Sequence, residues 1–151
     1  MPSEQLLEKM HEIAEQLIPF NKVLGIQVDT LDFEHFAIRF EHRPELVGNF
    51  TRGMLHGGVI AAVLDVAGGM SAWMGLLKKS QGEPFEETAK RLAKIGTIDM
   101  RVDYLRPGLG KHFRATSNVL RTGNKVTVTR MELHNDEDTL IAVGTGTYIV
   151  G

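Results

Sequence analysis

The chain has no cysteine. That excludes disulfides, a thiolate nucleophile and any cysteine-bearing zinc site. It also lacks a charge bias: 17 Lys and Arg stand against 19 Asp and Glu, for a formal net charge of −2. The charges are mixed along the sequence, so there is no basic footprint for a nucleic acid. No internal repeat or low-complexity tract is present, and the scattered histidines make no metal-ligand pattern. The opening residues, MPSEQLLEKM, are acidic and amphipathic, unlike the basic and then apolar regions of a signal peptide. A cytoplasmic location is the expectation. At 151 residues the chain fits one domain, 1–151, with a sizeable core.

What the chain does have is one long apolar stretch, Gly53 to Leu77, GMLHGGVIAAVLDVAGGMSAWMGLL. Gly57 and Gly58 suit a tight helix entry where backbone comes close to a ligand. The residues after them are apolar on every side, the pattern of a helix buried all round. A membrane span is the competing reading, since about 20 apolar residues cross a bilayer. Asp65 at the centre argues against it, at a cost of about 2.5–3.5 kcal/mol on insertion scales, as does the soluble patterning elsewhere. Within a buried helix, a carboxylate must be hydrogen-bonded, solvated by a pocket or shifted in pKa. Those are the conditions in which it becomes chemically useful. A plain core Asp bonded to a backbone donor is the alternative.

Spacing adds a statement about assembly. Gly57 and Asp65 are eight residues apart, or about 12 Å of helix. One substrate atom cannot meet both on a single helix. If they share a site, a second copy of the chain completes it across a two-fold axis.

Around this helix the pattern reads helix, two strands, long helix, four strands. Ser3 is an N-cap for a first helix with Leu6, Met10, Ile13, Ala14 and Leu17 on one stripe, ended by Pro19. Leu24, Ile26 and Val28 alternate as a strand, and Phe36, Ile38 and Phe40 as a second, paired in a hairpin. His35 and His42 read as ordinary surface histidines. Pro44 to Met54 is a loop in which Asn49 orients either a ligand, Asp65 or merely a turn. The charged segment Lys78–Lys94 reads as a solvated linker before a lid, with Glu86–Lys90 and Glu87–Arg91 at helix-pairing spacing. Strands follow at Thr97–Leu105, His112–Leu120, Val126–Leu133 and Leu140–Val150. Strict alternation sets Ile98, Met100, Val102 and Tyr104 on one face of the first of these, opposite Thr97. The third shifts phase, which predicts a bulge near Thr129. Gly144 and Gly146 mark curvature or a close backbone approach in the fourth. An α+β fold, a curved antiparallel sheet around one central helix, accounts for that order.

The pairing of LHGGVIAAVLDVAGG with TIDMRVDYLRPG resembles the hotdog-fold acyl-CoA thioesterases, in the branch similar to phenylacetyl-CoA thioesterase. The likeness runs from about Gly25 to Val150. It implies a homodimer, often paired again into a tetramer, with acyl-CoA as substrate and a hydrolysis that requires no metal or cofactor; the charge and soluble patterning above call for no nucleic-acid or membrane partner. By the resemblance, Asp65 is the catalytic carboxylate and the Gly57 N–H polarises the thioester carbonyl. His56 and Gly58 shape that turn, and Thr97 stands near the attacking water. Asn49 resembles the loop Asn of these enzymes, one residue farther from His56 than in some relatives. Arg106 is a candidate for CoA phosphates, ahead of Lys111, Arg121 and Lys125. Met70, Trp73 and Met74 either line an acyl channel or pack the core. Whether Asp65 acts as general base or as nucleophile stays open. Two other functions remain beside hydrolysis. One is hydration or dehydration of acyl thioesters by a His–carboxylate pair; the other is acyl-CoA sensing without turnover.

Overall fold

The computed structural model describes residues 4–151; the expected Ser3 N-cap lies outside them. The first helical stretch is broken where the sequence suggested one helix. α1 (Glu4–Glu12) runs into a turn of π-helix at Ile13–Leu17. Ile18 is extended, and Pro19 does not end the helical region but opens α2 (Pro19–Leu24) at its first position. Proline fits there because its missing N–H would be an orphan donor anyway. Gly25, with φ +72°, ends α2 in the left-handed region. Leu24 is therefore helical rather than part of a strand, and β1 begins at Gln27 (Gln27–Leu31). The period-two spacing of Leu24, Ile26 and Val28 was misleading because a six-residue helix is too short to show its own period.

β1 pairs antiparallel with β2 (Phe36–Glu41), as the hairpin reading predicts. The expected loop that follows contains a short ribbon, β3 (Val47–Asn49) with β4 (Met54–Leu55). His42 tethers it, its Nε2 lying 3.0 Å from the Gly53 carbonyl. α3 (Gly57–Lys79) is the predicted central helix. After α4 (Phe85–Leu92) come β5 (Gly96–Tyr104), β6 (His112–Thr122), β7 (Val126–Asn135) and β8 (Leu140–Ile149). One antiparallel sheet has the order β1-β2-β6-β7-β8-β5.

The sheet curves around α3. Ile60, Val63, Leu64, Ala67 and Met70 of the helix share one core with Ile38, Phe40, Phe113, Ala115, Met131 and Leu133 of the strands. Apart from the two alanines, each of these side chains contributes roughly 1.5–3 kcal/mol when fully buried. α3 is long and apolar enough to cross a membrane, yet most of it is buried against its own chain.

Two strand readings are corrected. β7 has no bulge at Thr129; Thr127, Thr129, Met131 and Leu133 are buried in one unbroken phase. The phase looked shifted because two of the inward residues are threonines. The irregularity lies on β6, between Val119 and Arg121. In β5 the register slips between Thr97 and Asp99. That bulge leaves Ile98 exposed and turns Thr97 toward α3, the side on which Met100 and Val102 pack against the core.

The Lys78–Lys94 segment is solvated only on its outer side. Thr88 is buried and Leu92 packs against the core. Lys90 pairs with Glu87 at 2.9 Å and Glu86 at 3.8 Å, whereas Arg91 reaches Glu83 and Ser80 rather than Glu87.

Candidate active site

The predicted residues gather in two places on α3. The first is its N-terminus. His56 is the N-cap, extended at φ −61°, ψ 136°, and its Nδ1 accepts from the Gly58 N–H at 2.8 Å. That bond puts the proton of the neutral ring on Nε2. It also removes Gly58 from the orphan donors of the first turn and leaves the Gly57 N–H, at the first helical position, without an intrahelical acceptor and with the helix dipole behind it. On its other side, the Tyr104 hydroxyl donates to the Gly57 carbonyl at 2.8 Å, which fixes the plane of the turn. A Cβ at Gly57 would lie 3.5 Å from the Tyr104 ring, an ordinary contact. The glycine therefore leaves the approach from outside open.

Asn49 and Arg106 stand on segments beside this turn. Asn49 Oδ1 accepts from the Thr51 N–H at 3.1 Å and the Thr51 hydroxyl at 2.6 Å, so here it holds the β3–β4 turn. Arg106 follows β5, and its guanidinium donates to the Leu140 carbonyl at 3.0 Å.

The second place lies two helical turns on. Asp65 is half-buried and opens on a pocket of about 250 Å³ with Ile18, Val66, Met70, Trp73 and Ile95 among its walls. Met70 and Trp73 are among its walls and also pack against the core, while Met74 is buried elsewhere in the core. The Thr97 hydroxyl donates to Asp65 Oδ1 at 2.9 Å. The Tyr148 hydroxyl lies 3.1 Å from the same oxygen and 3.1 Å from the Asp65 carbonyl. The carboxylate thus has side-chain donors and a pocket, as its place in an apolar helix required. Burial, reinforced by the neighbouring carboxylate, pushes the Tyr148 hydroxyl well above its ordinary value, so it remains a donor throughout the neutral range.

Tyr148 is the residue that sequence reasoning missed. A Tyr in the last, mostly apolar strand reads as core packing. The signal was in the glycines: a Cβ at Gly146 would come within 2.7 Å of the Tyr148 ring, and one at Gly68 would collide with its hydroxyl. Those two positions clear the slot that brings the phenol to Asp65.

The described residues contain no group of three or more histidines and carboxylates able to hold a metal ion. What the two places offer is a backbone N–H at a helix N-terminus and a carboxylate in an apolar-walled pocket. Together these suit stabilisation of a developing oxyanion and deprotonation of, or attack by, a nucleophile.

Comparison with known proteins points the same way. The Thioesterase superfamily profile matches residues 52–142, a span holding both places on α3. The medium/long-chain acyl-CoA thioesterase YigI of Escherichia coli is 45% identical over 151 residues, all of this chain and 97% of YigI. A crystal structure of a Shewanella oneidensis protein related to the thioesterase superfamily is 48% identical, with a TM-score of 0.93 over 97% of this chain and 96% of that one. A Haemophilus influenzae thioesterase structure is only 18% identical yet has a TM-score of 0.75 over 95% of this chain and 88% of its own, a likeness of fold alone. The helix-in-sheet architecture is the expected hotdog fold, and the chain belongs to the thioesterase superfamily.

Proposed function

We propose that the chain is a cytoplasmic, homo-oligomeric acyl-CoA thioesterase that acts on medium- to long-chain substrates. The observation that carries this reading is the Asp65 carboxylate, held by Thr97 at the mouth of an apolar-walled pocket. The kinship with YigI supports acyl-CoA as the substrate class, and the Met70 and Trp73 walls suit an alkyl chain.

In this mechanism the thioester carbonyl oxygen accepts from the Gly57 N–H of one protomer, while Asp65 of its partner faces the acyl carbon. Asp65 acts as general base. It takes one proton from water as the water oxygen bonds to the acyl carbon. The C–S bond then breaks and the CoA thiolate leaves with that proton. Thr97 donates to the carboxylate and keeps lone pairs with which to accept from the water. Gly58 and His56 hold the oxyanion turn, Asn49 steadies the loop beside it, and Arg106 meets CoA phosphate from the end of β5. The hydratase alternative would need His56 as the partner of Asp65, and here its Nδ1 is committed to capping α3.

Free-thiol release from short, medium, long and aromatic acyl-CoAs tests the reading. Highest kcat/KM on the medium and long chains is expected. Thiol release from none of them, or water addition to an enoyl-CoA instead, would overturn it.

A further inference from the structure

Asp65 has two carboxylate oxygens, and the fold treats them differently. Both hydroxyls that reach the carboxylate, from Thr97 on β5 and Tyr148 on β8, converge on Oδ1. No described residue hydrogen-bonds Oδ2. The Asp65 backbone carbonyl, also within reach of Tyr148, already accepts within the helix. An ionised carboxylate is the stronger acceptor for the phenol proton. Tyr148 itself is only 1% exposed, and the Thr129 hydroxyl on β7 stands beside its oxygen at the Gly68 slot. Its position is therefore set by three elements: the glycine slot on α3, its own strand and β7.

We propose that Tyr148 is a positioning residue for hydrolysis, which with Thr97 locks Asp65 Oδ1 and so presents Oδ2 as the oxygen that takes the proton from water. The inference rests on the thioesterase reading above but names an atom and a residue that the reading does not need. The titratable groups facing Asp65 are few. Among the residues lining its pocket from the α1–α2 region, α3, β5 and β8, Tyr148 is the only other one, and β7 contributes the neutral Thr129.

Tyr148→Phe removes the hydroxyl and keeps the ring. With folding and oligomeric state checked, kcat should fall about 10- to 100-fold, the rate equivalent of one hydrogen bond to a charged group, while KM changes little. The acid limb of the kcat profile should move to higher pH, because a carboxylate that loses a donor holds its proton more readily. A merely structural tyrosine would move the unfolding midpoint and leave that limb in place. An unchanged kcat and acid limb would overturn the proposal. Should the variant not fold, the wild-type chain labelled with 3-fluorotyrosine decides. The sequence has two tyrosines, and Tyr104→Phe assigns the signals. The Tyr148 fluorine resonance should respond to pH in the wild type and be flat over the same range in Asp65→Asn; a flat response in both overturns the contact. This readout needs no turnover, so it separates failure of the Tyr148 proposal from failure of the thioesterase reading.

Discussion

The two candidate places on α3 are built from opposite materials. At Gly57 the proposed oxyanion donor is backbone, set in an exposed turn where His56, Tyr104 and the helix geometry orient one N–H. At Asp65 it is a side chain, half-buried, held by two hydroxyls and walled by apolar residues. An oxyanion donor must be reachable by the carbonyl and pre-oriented with a dipole behind it, whereas a base is tuned by its partial burial. One helix supplies both environments because its N-terminus emerges from the curved sheet while its middle lies inside it. The distance that makes the environments different also keeps them from serving one substrate within a single chain.

The sharpest way to break the contrast is at the buried end. Asp65→Asn keeps an acceptor for Thr97 and Tyr148, so the fold should persist while kcat falls by about 10²–10⁴, the range for a lost general base. Turnover close to wild type would remove Asp65 from the chemistry.

At the open end the group to delete is a backbone N–H, and Gly57→Pro deletes it with little disturbance. Proline is favoured at the first helical position, His56 already has the extended backbone required before proline, and a Cβ there meets Tyr104 at ordinary distance. Loss of one oxyanion donor should cost about 10²–10³ in kcat, with the helix content unchanged by circular dichroism. A fully active Gly57→Pro would show that the oxyanion is held elsewhere.

The smallest effect is expected at His56, whose proposed part is to shape the turn by accepting from the Gly58 N–H. His56→Ala frees the Gly58 N–H and should lower stability by about 1 kcal/mol, as loss of a capping side chain does, with a smaller loss of kcat than in Gly57→Pro. Denaturant midpoints and initial rates measure both. Abolished turnover at unchanged stability would instead make His56 a participant.

How far each place could be read in the sequence follows from the same contrast. The open end was legible, because a donor made of backbone leaves its trace as glycines at a helix entry. Asp65 was legible as a carboxylate stranded among apolar residues. Thr97 was named through the family resemblance, but its face was misjudged, since a one-residue slip at Ile98 cannot be read from alternation. Tyr148 was invisible because its partner lies 83 residues away, and only Gly68 and Gly146 carried its imprint. The π-turn and α2, which put Ile18, Phe20 and Asn21 at the pocket, were hidden because Pro19 signals a helix start as well as a stop. The fold itself depended on none of these details. The apolar α3 and the period of the four last strands were enough.

The central claim is that the Gly57 of one protomer works with the Asp65 of another, and mixing the two inactive variants tests it directly. Asp65→Asn and Gly57→Pro chains, unfolded together in equal amounts and refolded, should form mixed dimers in which one site has both an intact Gly57 and an intact Asp65. Random pairing of equal populations should then restore about a quarter of wild-type thioester hydrolysis. Activity that stays at the sum of the two parent variants, with mixed dimers shown to be present, would mean that each site is built within a single chain.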